Sequence, residues 1–175
     1  MECLATPIAG LFELISPSQG DERGAFRRSW CRDAFGNAGI EFAPVQASLS
    51  ENFACHTLRG MHFQVGPAVE QKLVRCLRGQ IFDVALDLRA DSATCGQYWA
   101  VTLSADTGNA LFIPRGCAHG FLTLCDAALL EYLIDVPYSP AHARGCRWDD
   151  PAFAIAWPAT PTMISERDRH WPDYA

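Results

Sequence analysis

Short β-strand patterns separated by turn residues run through most of the 175-residue chain. In residues 82–88, large apolar side chains alternate with Asp83, Ala85 and Asp87, which predicts a strand with one buried face. Similar patterns predict further strands at residues 8–15, 25–30, 42–50, 98–103, 111–114, 120–124 and 129–136, with dense β-structure from Leu58 onward. Strands this short, with Gly- and Asp-containing turns between them, favour an all-β sandwich or barrel.

Helical patterns are confined to two short segments, residues 32–38 and residues 165–170. Turns are predicted at residues 20–24, at 78–80 and at 106–109. The chain contains no internal repeat, linker or low-complexity tract. Residues 1–175 are therefore predicted to form a single β domain with short flanking helices.

Composition excludes several classes of protein. The net charge of −6 argues against broad nucleic-acid binding, which needs a basic field. No apolar run approaches the length of a membrane span, and the amino terminus lacks the pattern of a signal peptide. The eight cysteines occur singly, without a Cys-x-x-Cys pair, so no zinc site of the usual spacing is predicted. We expect a cytoplasmic protein whose cysteines serve mostly as small core residues.

Candidate chemistry is concentrated around the segment Arg-Gly-Met-His-Phe-Gln at residues 59–64. It places the imidazole of His62 near the fixed cation Arg59, and Lys72 follows eight positions after Gln64. Residues 114–121 bring a second histidine, His119, on a predicted turn. Such a set of side chains in one pocket would suit proton transfer on an anionic substrate.

Each of these residues also has a purely structural interpretation. A lone histidine such as His62 is most often hydrogen-bonded in the core, and a lysine such as Lys72 is usually a solvated charge. Tyr132 lies on a leucine-rich strand and could simply pack in the core. The pattern Ser165-x-x-Asp168 is similar to a helix capping box, with Asp in place of the usual Glu.

The spacing Gly108-x5-Pro114-x-Gly116-x2-His119 resembles the second conserved box of the cupin family. That resemblance implies a cupin-type jelly roll, also called a double-stranded β-helix. The first box is only partly present, because Gln64 stands where a second histidine belongs and the glutamate is displaced to Glu70. Metal cupins arrange three histidines and a carboxylate around one ion. We therefore expect a cupin that works without a metal or another cofactor.

The chain as a whole resembles the dTDP-4-dehydrorhamnose 3,5-epimerase family. The segments that carry the resemblance are Asp-Glu-Arg-Gly-Ala-Phe at 21–26, Leu-Arg-Gly-Met-His-Phe-Gln at 58–64, Lys-Leu-Val-Arg at 72–75, Phe-Asp-Val at 82–84, Asp-Leu-Arg at 87–89, and the blocks at 113–121, 144–151 and 164–168. The order of these segments along nearly the whole chain makes a chance similarity improbable.

The resemblance implies a catalytic role for four residues. His62 resembles the family's general base, which takes a proton next to a ketone, and Asp168 resembles its orienting carboxylate. Lys72 matches the lysine that stabilises the enolate. Tyr132 aligns with the tyrosine proposed to return a proton from the opposite face.

The resemblance also implies how a nucleotide-sugar substrate is bound. Six residues match positions that line the family's substrate pocket: Arg23, Phe26, Gln46, Arg59, His119 and Tyr138. Arg28 and Ser48 depart from the residues that many members carry near the nucleotide, which leaves the base and the exact sugar open. The family forms homodimers in which amino-terminal strands reach the partner's pocket, so Arg23 or Phe26 is expected to act across the interface.

The sequence therefore predicts an epimerase that inverts C3, C5 or both on a nucleotide-linked 4-keto-6-deoxy sugar, most simply dTDP-4-dehydro-6-deoxyglucose. Three alternatives remain open at this point. The first is inversion at one carbon only, on a dTDP-, CDP- or GDP-sugar. The second is a non-catalytic cupin that binds a sugar nucleotide, and the third is a metal-dependent oxygenase that uses His62 and His119.

Overall fold

The computed structural model describes residues 1–174, which form two antiparallel sheets packed face to face. Strands are numbered in chain order. The first sheet has the spatial order β1 (Glu2–Ala5), β2 (Phe12–Ile15), β10 (Ala110–Ile113), β7 (Lys72–Arg78), β12 (Ala128–Ile134) and β5 (Gln46–Asn52). The second has the order β13 (Ala143–Gly145), β6 (Thr57–Gln64), β11 (Cys117–Thr123), β8 (Gln80–Asp87) and β9 (Tyr98–Ser104). This is the predicted sandwich, a jelly roll of two facing sheets.

A few shorter elements complete the structure. The strands β3 (Ser18–Asp21) and β4 (Gly24–Arg27) form a separate, largely exposed hairpin. The helices α1 (Arg32–Asn37) and α2 (Glu166–Arg169) fall where helices are predicted, and β14 (Met163–Ile164) runs parallel to β6. A single 3₁₀ turn covers Gly66–Ala68. None of the helices described in residues 1–174 is long and apolar enough to cross a membrane.

The main core fills the space between the two sheets. Its buried members include Val74 and Leu111 from the first sheet and Ile81, Leu103 and Phe121 from the second. A second apolar cluster under α1 contains the packed rings of Phe35, Phe42 and Phe112. The hydrophobic effect thus fixes both the sandwich and the position of its amino-terminal cover.

Strand β8 does not have the solvent-facing side that its alternation predicts. Its apolar face, with Val84 and Leu86, packs under the carboxy-terminal segment around Phe153. The opposite face, with Asp83 and Ala85, points into the space between the sheets and is fully buried. Alternation identified the strand correctly but not which face meets the space between the sheets, because a later segment covers the apolar face, which would otherwise be exposed.

The register of β6 contains one extra residue beside β11. His62 pairs with His119 and Arg59 with Phe121, so three steps on β6 match two on β11. The extra residue is a β-bulge at Gly60, whose φ is +148°. A regular strand would direct Arg59 and His62 to opposite faces, whereas the bulge turns both toward the same side of the sheet.

Several predicted strand limits are wrong at their amino-terminal ends. The strand predicted at 8–15 begins only at Phe12, because Gly10 makes a turn at φ +80°, and β1 was not predicted. The strand predicted at 42–50 begins at Gln46, since Phe42 packs in the aromatic cluster and Pro44 lacks an N–H.

His119 lies within β11 and not on a turn. The turn ends at Gly116, whose φ is +79°, and every residue of β11 is buried. A strand buried on both faces has no alternation of apolar and polar residues, so its start could not be recognised from the sequence. The predicted turn at 78–80 is confirmed, with Gly79 at φ +80° joining β7 to β8.

All eight cysteines are free thiols within the part of the chain that the structure describes. Only Cys76, Cys117 and Cys146 are buried, while Cys95 is exposed and the other four are half-buried. Cys3 and Cys125 pack against the apolar clusters, so the expectation that most of the cysteines serve as core residues holds for five of the eight. Burial raises the pKa of Cys76 to about 11, which keeps this thiol protonated at neutral pH.

Candidate active site

A cleft of about 480 Å³ opens between the two sheets and gathers polar side chains from both. The first sheet contributes alternate residues of β5, together with side chains from β7 and β12. The second contributes residues of β6 and β11. The polar and ionisable residues that line the cleft are Gln46, Ser48, Ser50, Arg59, His62, Gln64, Glu70, Lys72, His119, Tyr132, Tyr138, Arg144 and Arg167.

One wall of the cleft follows directly from the period of two in β5. Gln46, Ser48 and Ser50 are half-buried and line the cleft, while Ala47 and Leu49 face outward and are exposed. Gln46 accepts a hydrogen bond from the backbone N–H of Tyr138 at 3.1 Å and donates one to the Ser48 hydroxyl at 3.2 Å. These contacts hold the Gln46 side chain at the cleft wall.

His62 forms a short hydrogen bond with Asp168. Nε2 of the imidazole lies 2.6 Å from Oδ1 of the carboxylate. The His62 side chain is 42% exposed, whereas that of Asp168 is only 5% exposed. An ionised carboxylate can only accept, so Nε2 carries the proton and the lone pair of the neutral ring is on Nδ1. His62 is therefore held as a base.

Asp168 is positioned by the start of helix α2. The Ser165 hydroxyl accepts a hydrogen bond from the Asp168 backbone N–H at 3.1 Å, as expected of a helix N-cap. The carboxylate does not complete the capping box but turns to His62, with further N–H donors from Gly60 at 3.4 Å and Trp171 at 3.3 Å. The structural and functional interpretations of this segment are thus compatible.

The charge of Asp168 is stabilised by these contacts. Burial alone would raise the pKa of the carboxyl, but the hydrogen bond and charge of His62, with the N–H groups of Gly60 and Trp171, outweigh it and lower the pKa below its ordinary value. Asp168 is consequently ionised at neutral pH. It can keep the His62 ring in one tautomer.

Lys72 enters the cleft from the first residue of β7. Its Nζ lies 2.6 Å from Oε1 of Glu70, and the two side chains are 8% and 10% exposed. Lys72 is also the only lysine in the chain, since every other basic side chain among the 14 Lys and Arg residues is an arginine. A compact ammonium therefore occupies this position in a chain that otherwise uses guanidinium groups.

A second histidine–carboxylate pair lies deeper between the sheets. Nε2 of His119 is 2.7 Å from Oδ1 of Asp83, which is fully buried. The Tyr132 ring packs edge-on against His119, with 5.7 Å between ring centroids. Burial, with a further contribution from Asp83, raises the pKa of the Tyr132 hydroxyl well above its ordinary value, against a smaller opposing effect of Arg59. Tyr132 therefore stays protonated and can donate a proton.

The mouth of the cleft is basic. Arg59 is held by Asn52, with 2.8 Å between its Nε and Oδ1, and it also contacts the Glu51 carbonyl. Arg144 and Arg167 line the same opening. Three guanidinium groups at one opening suit an anionic ligand such as a phosphate.

A sequence model described as dTDP-4-dehydrorhamnose 3,5-epimerase matches residues 5–175. An enzyme of that description from Sinorhizobium fredii is 42% identical over 166 residues, which cover 91% of this chain and 83% of the relative. The chain belongs to the dTDP-4-dehydrorhamnose 3,5-epimerase family.

Solved structures of this family share the jelly-roll fold. The epimerase of Bacillus anthracis, determined with TDP and PPi bound, has a TM-score of 0.95 and 36% identity, covering 98% of both chains. A 3'-monoepimerase from Streptomyces bikiniensis, in complex with dTDP-quinovose, has a TM-score of 0.89 and 30% identity, covering 95% of this chain and 85% of that one. The predicted fold class is therefore confirmed.

Eight of the ten site residues predicted from the resemblance to the epimerase family meet in or beside this one cleft. His62, Lys72 and Tyr132 line it, and Asp168 stands directly behind His62. The predicted binding residues that line it are Gln46, Arg59, His119 and Tyr138. Ser48 lines the same wall.

Arg23 and Phe26 lie elsewhere, on the exposed hairpin β3–β4. Arg23 forms an ion pair with Asp21 at 2.5 Å, and Phe26 is 72% exposed. Phe26 and Arg28 line a separate hollow of about 230 Å³ together with Gln19. The fold therefore does not bring these two predicted ligands to the cleft of their own chain.

The metal ligands of a cupin site are not assembled in this cleft. In residues 1–174, no group of three or more His, Cys, Asp or Glu side chains is arranged to hold a metal ion. Gln64 stands where the first cupin box has its second histidine. It instead donates hydrogen bonds to Glu70 at 2.6 Å and to the Ala68 carbonyl at 3.2 Å.

Sequence reasoning missed some of the residues in the cleft. Asp83 was interpreted only as the polar half of an alternation, although an acidic residue on a strand between apolar neighbours is a usable signal. Arg144 and Arg167 lie within matching blocks but were not singled out. The fact that Lys72 is the only lysine could have been read from the sequence alone.

Proposed function

We propose that this chain inverts C3 and C5 of a nucleotide-linked 4-keto-6-deoxy sugar, most simply converting dTDP-4-dehydro-6-deoxyglucose to dTDP-4-dehydrorhamnose. The observation that carries the proposal is the His62–Asp168 pair, which opens on the same cleft as Lys72 and Tyr132. Together they make an acid–base set on two facing sheets. Binding alone would not need such a set, which disfavours a non-catalytic cupin.

The first step is removal of a proton next to the ketone. His62, with its Nε2 proton held by Asp168, accepts the proton from C5 or C3 through Nδ1. The C–H bond breaks, and its electron pair moves through the adjacent carbon to the oxygen on C4. The ammonium of Lys72 stabilises the negative charge that develops on this oxygen.

The second step returns a proton to the opposite face of the sugar. Desolvation raises the pKa of the half-buried Tyr132 and keeps it protonated, so its hydroxyl can deliver a proton to the planar enolate carbon. The carbonyl at C4 re-forms as the enolate electrons return to carbon. His62 then holds one extra proton and Tyr132 lacks one, and exchange with water resets both.

The nucleotide would be held at the basic mouth of the cleft. Arg59, Arg144 and Arg167 offer guanidinium forks for the diphosphate, and Gln46 and Tyr138 offer polar contacts farther along the wall. The related Bacillus anthracis enzyme was determined with TDP and PPi bound, which supports a dTDP-linked substrate.

We further propose a homodimer in which the β3–β4 hairpin completes the partner's cleft. Arg23 and Phe26 are exposed on this hairpin, and a guanidinium and an exposed ring are the side chains expected to bind a phosphate and a base. One domain of residues 1–175 would form each protomer. The eight free thiols suit a reducing cytoplasm.

A second candidate is inversion at one carbon only. It is favoured by the similarity to a 3'-monoepimerase from Streptomyces bikiniensis, although the identity of 30% is lower than the 42% to the 3,5-epimerase of Sinorhizobium fredii. The two activities differ in whether the C–H bonds at both C3 and C5 are broken or only one of them. Isotope exchange at each carbon separates them.

The test is deuterium uptake from heavy water into dTDP-4-dehydro-6-deoxyglucose, with C3 and C5 followed separately by NMR and mass spectrometry. We expect exchange at both carbons with the wild-type protein. His62→Ala should lower the exchange rate by about 10²- to 10⁴-fold while keeping the fold, because the base is lost. His170→Ala, at an exposed histidine, should leave the rate unchanged.

Exchange at a single carbon would replace the proposal with the narrower epimerase. A folded wild-type protein without exchange at either carbon would reject this substrate. Near-normal exchange by His62→Ala would reject the assignment of the base.

A further inference from the structure

Glu70 is a carboxylate in the cleft that the proposed mechanism does not use. Its side chain is only 10% exposed. Oε1 lies 2.6 Å from the ammonium of Lys72, and Oε2 lies 2.6 Å from Nε2 of Gln64. A carboxylate this enclosed needs a partner for each oxygen, and both oxygens have one.

The direction of these hydrogen bonds is set by the backbone. The N–H of Ser139 donates to Oε1 of Gln64 at 2.8 Å, and Nε2 of Gln64 also donates to the Ala68 carbonyl at 3.2 Å. A backbone N–H can only donate and a carbonyl can only accept, so the Gln64 amide is held in one orientation. Its amino group therefore faces position 70 as a donor.

Lys72, on the other side of position 70, also requires a hydrogen-bond acceptor there. An ammonium has three donors and no acceptor. The side chain at position 70 must accept a hydrogen bond on both sides at once. A carboxylate does so, whereas an amide would have to turn its own amino group toward either Lys72 or Gln64.

We propose that Glu70 is a positioning residue for Lys72, through the ordered chain Ser139–Gln64–Glu70–Lys72. Glu70 takes one donor of the ammonium and leaves the others to point at the oxygen on C4 of the substrate. The role of this oxygen rests on the proposed function. The position of the ammonium does not, because it follows from contacts within the protein.

Two variants separate hydrogen-bond order from charge. Glu70→Gln places an amide between two donors, so Lys72 or Gln64 loses its acceptor. The double variant Gln64→Glu with Glu70→Gln restores the order: the new carboxylate accepts from the Ser139 N–H and from the new amide, whose oxygen accepts from Lys72. The Ala68 carbonyl loses a donor in this variant, so thermal unfolding of each protein is measured alongside.

The first readout observes Lys72 itself. Because Lys72 is the only lysine, protein labelled with ¹⁵N at the lysine side chain gives one ammonium signal with no assignment needed. We expect a narrow, hydrogen-bonded signal in the wild type, a broadened or shifted signal in Glu70→Gln, and recovery in the double variant. Glu41→Gln, at an exposed carboxylate outside the cleft, should leave the signal unchanged.

The second readout is turnover of dTDP-4-dehydro-6-deoxyglucose. Misplacing a catalytic group by about 1 Å can cost about 100-fold in rate, so we expect Glu70→Gln to lower kcat by about 10- to 100-fold with little change in KM. The double variant should recover most of this loss. A purely structural role would instead lower the unfolding temperature without this split between kcat and KM.

The outcomes distinguish this proposal from the proposed function. If the ammonium signal changes and recovers as expected but the wild type does not turn over this substrate, the positioning role is supported and the substrate assignment fails. If the wild type is active and Glu70→Gln changes neither the signal nor kcat, the positioning role is overturned. Failure of the double variant to recover the signal, with folding intact, also overturns it.

Discussion

At the scale of single residues, Asp168 shows how one short sequence can serve two purposes. Its backbone N–H is bound by the Ser165 hydroxyl at the start of α2, and its side chain is directed to His62. The cap uses only the main chain of Asp168, so the carboxylate is left for the imidazole. The burial of that carboxylate is offset by its hydrogen bonds, which lower its pKa.

We predict that Asp168→Asn weakens both catalysis and the acid dependence of stability. The amide cannot hold the His62 tautomer as a carboxylate does, so kcat should fall by about 10- to 1,000-fold. The pKa of Asp168 is lowered in the folded protein from its ordinary value of 3.8. Its stabilising contribution is therefore present above that value and is lost as the pH falls through the lower, folded-state value.

Urea unfolding between about pH 6 and pH 2 measures this effect. The wild type should lose more unfolding free energy than Asp168→Asn as the pH falls below about 4. Parallel curves for the two proteins would contradict the assigned role of the carboxylate.

At the scale of elements, the bulge in β6 decides the geometry of the cleft. It allows Arg59 and His62, three residues apart, to line the same cleft. Gly60 provides the backbone conformation, with φ at +148°. A Cβ at this position would lie 2.6 Å from the Cα of Gly120 on β11, so the two strands can approach only because both residues are glycine.

We predict that Gly60→Ala destabilises the protein and impairs the site. Overpacking against the backbone of β11 should lower the free energy of unfolding by roughly 1–3 kcal/mol, and realignment of β6 should lower kcat of the folded fraction. Gly36→Ala is the matched control. An added methyl group at position 36 would meet no atom within 4 Å, and the residue lies in α1, so alanine there should stabilise by roughly 0.5–1 kcal/mol.

Chemical denaturation and initial rates measure the two effects of these glycine variants. Equal unfolding free energies for Gly60→Ala and the wild type would show that the bulge can rearrange at no cost.

At the scale of the whole molecule, the cleft depends on the way two sheets face each other. His62 and Arg59 come from the second sheet, and Lys72 and Tyr132 from the first. The β3–β4 hairpin belongs to neither sheet, and its predicted ligands Arg23 and Phe26 are exposed. The proposed homodimer, in which a second copy of the chain completes the site, would account for that exposure.

We predict that two inactive variants restore each other's activity when mixed. Arg23→Ala impairs the hairpin and His62→Ala removes the base. In a mixed dimer, the cleft with an intact His62 would receive an intact hairpin from its partner. Random mixing should then restore about one quarter of the wild-type sites, since half of the dimers are mixed and each has one complete site.

Co-refolding the two variants, followed by the rate of deuterium exchange, tests this arrangement. Activity that does not rise above the mean of the separate variants would contradict a hairpin acting across the interface. Full activity of Arg23→Ala on its own would remove Arg23 from the site.

Much of the fold and the site could be predicted from the sequence. The strand signalled at residues 82–88, the turn at Gly79 and the helix capped by Ser165 are local patterns, and each element forms where it is predicted because its cause lies within a few residues. The resemblance of ordered segments to the epimerase family pointed to His62, Lys72, Tyr132 and Asp168 as one set. Strand limits near Gln46 and Cys117 were wrong where distant packing overrode local preference.

What the sequence by itself determined is therefore the set of elements, the family and the residue types available for acid–base chemistry. Only the tertiary structure decided how they meet. The bulge at Gly60, the burial of Asp83 between the sheets and the pairing of Glu70 with Lys72 all depend on strands that are far apart in the chain. The physical reason is that hydrogen-bond register and burial are properties of neighbours in space, which a local pattern of residues does not specify.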